Sequence, residues 1–145
     1  MAAASAPPRV DFYVLESSDE RARLLTACRL VEKAYLAEQT VYVHVGSPAE
    51  ASALDELLWT YSDRSFVPHA LATSEDGSPV RIGCGEPLPA QVLVQLAPDA
   101  PGELGAYERI ADFVDADPTR RDQGRKRYAS YRDRGARPET HKVGA

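Results

Sequence analysis

The chain has 145 residues, 43% hydrophobic and 27% charged, which suits a single globular domain with a sizeable core. No run approaches the roughly 20 apolar residues of a bilayer span, so a membrane protein is not expected. The formal charge of −5 hides an asymmetry: residues 1–117 carry eight Lys or Arg against nineteen Asp or Glu, and residues 118–145 carry nine against three.

Met1 to Arg9 is small and Pro-containing, with neither a basic nor an apolar export region, so it reads as a flexible leader on a cytoplasmic protein. Residues 10–145 read as one domain. Val10 to Leu15 is a β-branched and aromatic run, hence a strand. Ser17 with Glu20 has the capping-box spacing, predicting a helix whose apolar face is Leu24, Cys28, Val31 and Tyr35. Thr40 to Val45 is a second strand. Ser47, Pro48 and Glu50 then start a helix with Leu54, Leu57, Leu58 and Tyr61 on one face. Ser65 to Leu71 is short and extended, and Pro79 to Ile82 and Gln91 to Leu96 are further strands, joined by Gly- and Pro-rich loops. A helical turn is expected around Gly102 to Ala106, and Tyr107 to Val114 fits strand or helix. Asp117-Pro118 opens a final basic helix, over about 118–134, that closes near Gly135.

Strands alternating with helices predict an α/β domain with a mostly parallel sheet covered on both faces. That architecture invites a nucleotide, but the first strand-to-helix turn, Glu16-Ser17-Ser18-Asp19-Glu20, is acidic and lacks glycine. No Walker sequence occurs either, so no functional nucleotide site is expected. Catalysis needs convergent groups, and no nucleophile elbow or paired carboxylate is apparent. His69 reads as a structural, hydrogen-bonded histidine rather than a base. His44, His69 and His141 are scattered, so neither a metal nor a cofactor is expected. Cys28 and Cys84 lack metal or redox spacing and should stay reduced.

Two features stand apart. Trp59 points away from the apolar face of its helix, either beneath a second layer or as an exposed anchor for another protein, with Phe66 able to join it. In the last helix Arg121, Arg125, Tyr128 and Arg132 form one stripe, with Arg127, Tyr131 and Arg134 on a neighbouring one. Guanidiniums interleaved with tyrosines suit phosphate, carboxylate or an acidic peptide carrying an aromatic. An ordinary solvated helix with tyrosines packed inward, and direct binding of single-stranded nucleic acid, are the alternatives.

The sequence resembles the chi-subunit family of bacterial DNA polymerase III. The residues that carry this are Phe12-Tyr13-Val14-Leu15, Ala27 to Tyr35, Leu54-Asp55-Glu56-Leu57-Leu58-Trp59-Thr60-Tyr61, Ser65-Phe66-Val67-Pro68-His69 and Arg125 to Gly135. The resemblance spans about Val10 to Val143. It implies a non-catalytic replisome adaptor with a Rossmann-like three-layer α/β/α fold, monomeric or in a 1:1 heterodimer. By the same resemblance its partners are the acidic C-terminal tail of single-stranded DNA-binding protein and a psi subunit of the clamp loader, or in some bacteria an XPD-like helicase. Nucleic acid is then contacted only indirectly. The family's tail-binding motif falls on Val114, Arg121, Arg125 and Tyr128, with Arg132 on the same stripe, and its psi or helicase surface on Trp59 and Phe66.

Overall fold

Among the described residues, seven strands lie side by side in the order β3-β4-β2-β5-β6-β1-β7. They are β1 (Arg9–Leu15), β2 (Val41–His44), β3 (His69–Leu71), β4 (Val80–Gly83), β5 (Val92–Gln95), β6 (Arg109–Val114) and β7 (Glu139–Val143). The helices are α1 (Glu20–Leu36), α2 (Pro48–Thr60) and α3 (Pro118–Asp133). This computed structural model describes residues 7–61, 67–71 and 78–143.

Every strand pair is parallel, with β1 at the centre of the register that matters below: Phe12 lies opposite Asp112 on β6 and Thr140 on β7, and Val14 opposite Val114. Parallel strands buried on both faces need continuous apolar runs, and β2 and β5 are buried at every position. Side chains alternate between two cores. Val41, Val43, Val92, Val94, Ala111 and Phe113 pack with α1 and α2. Val10, Phe12, Tyr42, Leu93, Ile110 and Val114 pack with Tyr131 of α3 and with Leu104 and Tyr107 of the β5–β6 loop. Two helices on one face and α3 with a long loop on the other make the three-layer α/β/α, Rossmann-like arrangement that was expected.

Local chemistry explains where the elements begin. The Ser47 side chain caps α2 by accepting from Glu50 N, with Pro48 in the first turn, as the spacing predicts. For α1 the cap is Asp19 rather than Ser17: its Oδ1 accepts from Arg21 N at 3.0 Å, while the Ser17 hydroxyl accepts from Asp19 N in the preceding turn. Residues around Gly102 to Ala106 form a turn closed by Tyr107 N donating to Leu104 O, not a helix. Tyr107 to Val114 resolves as strand from Arg109. Strand β7 was not anticipated, because Glu-Thr-His-Lys-Val at a sheet edge carries no apolar run.

Adjacent β1 and β6 lead into helices on opposite faces, the point where open α/β sheets hold ligands. Here protein groups span it. Arg120 Nε and Nη2 donate to Asp115 at 2.9 and 2.8 Å and Nη2 also to Ser18 O, while Ala116 N donates to Ser17 O. Asp115 is fully buried, and its hydrogen bond holds the Arg120 guanidinium above its usual range against the opposing effect of burial. On α1, burial pushes the Cys28 thiol up to about 12, which leaves it unreactive near neutral pH. Among the described residues no helix is long and apolar enough to cross a membrane.

Candidate functional site

Helix α3 is held at both ends by its own sequence. Asp117 caps it by accepting from Arg120 N, Pro118 occupies the first turn, and Gly135 takes φ +94° to turn the chain out. Between these ends the helix divides into two stripes. Gly124, Arg127 and Tyr131 face the sheet and are buried. Asp112 of β6, fully buried, accepts from Arg127 Nε and Nη2 at 2.8 and 2.9 Å and from the Tyr131 hydroxyl at 2.9 Å. Arg127 Nη1 donates to Pro98 O. Burial opposes the charge on Arg127, but Asp112 outweighs it and raises the guanidinium above its usual range. Burial, reinforced by Asp112, pushes the Tyr131 phenol well up, so it stays a donor. Arg127 and Tyr131, which the helical spacing placed on a neighbouring stripe, are therefore engaged by Asp112 and face the sheet.

The other stripe borders a cavity. Phe12, Val14, Val114 and Thr140 form its floor on the sheet, and Arg121, Gly124, Arg125 and Tyr128 form its helical wall, enclosing about 210 Å³. The helix approaches closely because residue 124 has no side chain: a Cβ there would meet Val114 Cγ2 at 2.7 Å. Tyr128 is partly buried and its ring leans on Phe12 at 5.2 Å. The Arg121 and Arg125 side chains make no hydrogen bond or ion pair with other described residues, in contrast to Arg127. The arrangement is an apolar hollow with two uncommitted cations at its rim. That combination fits an aromatic or aliphatic group attached to a carboxylate.

The cavity lining thus brings together Val114, Arg121, Arg125 and Tyr128 of the expected set. Arg132 is exposed on the same stripe, outside the lining. Sequence reasoning missed Phe12, Val14, Gly124 and Thr140. The first two were legible only as strand residues, Gly124 only as a helix-weakening residue amid charges, and Thr140 lies on the unanticipated β7.

On the opposite side of the sheet Trp59 is 47% exposed, with its ring 4.1 Å from the His69 imidazole. His69 itself is buried: Nδ1 lies 2.6 Å from Val67 O and Nε2 lies 2.9 Å from Asp55 O, tying the start of β3 to α2. It is a structural histidine, as expected. Phe66 lies outside the described residues, so a joint patch with Trp59 is not described.

Asp11, Glu139 and His141 bring their ligand atoms within 4.8 Å of one another, a convergence that the sequence spacing did not reveal. The Asp11 carboxylate is already engaged by Arg9, by Arg109 Nε at 2.9 Å and by His141 Nε2 at 2.8 Å. Burial works to raise the Asp11 carboxyl, but bonds from His141 and Arg109 and the charge of Arg9 outweigh it and hold it below the usual range. Two guanidiniums at the same carboxylate suit an ion-pair network that anchors β7 to β1 and β6, not a cation site.

Comparison with known proteins bears on the whole chain. A solved structure of S. cerevisiae Dbp5 bound to RNA and ADP BeF3 superposes with TM-score 0.58 at 13% identity, covering 97% of this chain and 42% of that one, which supports the fold alone. The DNA polymerase III subunit chi of Pseudomonas aeruginosa is 39% identical over 137 residues, spanning 93% of this chain and 96% of that protein. The subunits of the same name from Haemophilus influenzae and Escherichia coli are 28% and 27% identical, over 92% and 74% of this chain and 96% and 77% of their own lengths. The family profile described as DNA polymerase III chi subunit, HolC, matches residues 8–139. The chain belongs to the DNA polymerase III chi subunit family.

Proposed function

We propose that this chain is a non-catalytic adaptor in DNA replication that receives the acidic C-terminal tail of single-stranded DNA-binding protein and links it to the clamp loader. The observation that carries this reading is the cavity beside α3, apolar within and rimmed by the uncommitted cations Arg121 and Arg125. A C-terminal phenylalanine would enter between Val114 and Tyr128, and its carboxylate and the preceding aspartates would meet the two arginines. Single-stranded nucleic acid would engage the same arginines, but a hollow of about 210 Å³ with Phe12 and Tyr128 packed on each other takes one apolar side chain rather than a run of stacked bases, and this favours the peptide. Charge-assisted bonds of about 1.5–3 kcal/mol each, less the cost of ordering a flexible tail, place the affinity in the micromolar range, roughly −8 kcal/mol. Partial exposure of the arginines makes the complex salt-sensitive.

Titrating a labelled tail peptide against wild type and Arg125→Ala tests this directly. Loss of about tenfold or more in affinity is expected, with a similar loss when the terminal phenylalanine is deleted. Equal binding by both proteins would remove Arg125 from the site, and indifference to the phenylalanine would remove the cavity. The exposed Trp59 is proposed to hold the psi-type or helicase partner. Trp59→Ala should then lose that partner in pull-downs while retaining the peptide, and loss of both by a folded variant would refute separate surfaces.

A further inference from the structure

The flank of α3 away from the cavity carries a second groove, of about 400 Å³, between the loop at Pro98 to Ala100 and the side chains of Gln123, Lys126, Ser130 and Arg134. At about 100° per residue, Gln123, Ser130 and Arg134 lie roughly opposite Arg121 and Arg125 around the helix axis. The two hollows therefore flank one helix.

This groove differs from the first in chemistry. Arg134 Nη1 donates to Pro101 O at 2.8 Å and Gly102 O at 3.1 Å, and Nη2 donates to Ser130 Oγ at 2.9 Å. These acceptors are all neutral, so the guanidinium is fixed in place while its charge meets no carboxylate among the described residues. Lys126 is well exposed and reaches Asp122 only at 3.6 Å. Asp99 is the one carboxylate among the described lining residues, against those two cations. Arg127, at the base, has its charge neutralised by Asp112.

We infer that the second groove receives the acidic stretch of the same peptide whose apolar end occupies the first cavity, so that the ligand crosses over α3. This rests on the peptide reading given above. The crossing point is Ala129, exposed and lacking bulk, with Arg125, Lys126 and Arg132 as its i−4, i−3 and i+3 neighbours and Asp133 at i+4. A methyl-sized saddle beside three cations lets an extended anionic chain pass over the helix. Half the circumference of a helix about 10 Å across is roughly 16 Å, or about five extended residues. Acidic residues adjoining the apolar end would then lie against Arg125, and those about five positions further would reach Lys126 and Arg134.

The test uses the full chain and two fluorescent peptides: a four-residue peptide ending in phenylalanine with no acidic side chain, and a ten-residue peptide with the same end preceded by aspartates. Lys126→Ala/Arg134→Ala should weaken the long peptide about three- to tenfold and the short one less than twofold. Because Arg134 also braces the loop, Lys126→Glu, altering a well-exposed side chain, is measured beside it and should show the same selective loss. Equal effects on both peptides, or none on the long one, would overturn the crossing. A long peptide that binds wild type no more tightly than the short one would overturn it too, leaving the apolar cavity intact. If neither peptide binds wild type, the cavity reading fails and the crossing fails with it.

Discussion

The inward and outward stripes of α3 are built from the same residue types and have opposite fates. Inward, Arg127 and Tyr131 converge on the buried Asp112, and every charge and donor in that trio has a protein partner. Outward, Arg121, Arg125 and Tyr128 border a hollow, with both guanidiniums uncommitted. The difference teaches that a basic helix is not one electrostatic surface. Its arginines divide into those that hold the helix and those that the helix displays. Reach to a buried carboxylate decides which: Asp112 for Arg127 and Asp115 for Arg120.

The comparison breaks most sharply at Asp112. Asp112→Ala leaves the Arg127 charge buried without its partner and should cost about 3–5 kcal/mol in urea unfolding. A loss under about 1 kcal/mol would mean that the inward stripe is not what holds α3. Tyr131→Phe deletes one bond of the trio while keeping the ring, so about 1–1.5 kcal/mol is expected from the same measurement.

Asp11, another buried carboxylate with cationic partners, offers a pH test on the neighbouring strand β1. Its folded pKa is depressed below the ordinary 3.8. Its contribution is therefore whole above the unfolded value and lost as pH falls through the folded one. Unfolding curves of wild type and Asp11→Asn should differ most above the unfolded pKa and converge as pH falls through the depressed folded one. A constant gap across that range would show that the ion pairs around Asp11 do not drive the difference.

The outward stripe should give the smallest stability effects. Arg125→Ala and Arg132→Ala should each stay within about 0.5 kcal/mol of wild type by thermal or urea unfolding. In peptide affinity Arg125→Ala should far exceed Arg132→Ala, which lies outside the cavity lining and should change binding by less than about twofold. Reversal of that order would move the site along the helix.

Much of the fold was legible residue by residue. Asp117-Pro118 and Gly135 bounded α3 because caps and positive-φ turns are local chemistry, and the apolar run Val10 to Leu15 announced β1 for the same reason. The α1 boundary was misplaced because Ser17 and Asp19 both offer a capping oxygen, and only backbone geometry selects between them. Strand β7 escaped notice because pairing with β1, not apolar content, makes Glu139 to Val143 a strand. The candidate site shows the same division. Spacing placed Arg121, Arg125 and Tyr128 on one stripe, but Phe12 and Thr140, opposite each other in the sheet, reach the cavity only through strand register.

By itself, then, the sequence determined the charge break at Pro118, the helical stripe and the parallel α/β order, since these follow from composition, periodicity and local capping. Tertiary structure alone decided that Arg127 faces Asp112, that Gly124 admits the helix to within contact of Val114, and that an apolar hollow opens beside Arg121 and Arg125. Each depends on which side chains from distant strands lie beneath the helix, and a one-dimensional pattern does not carry that information.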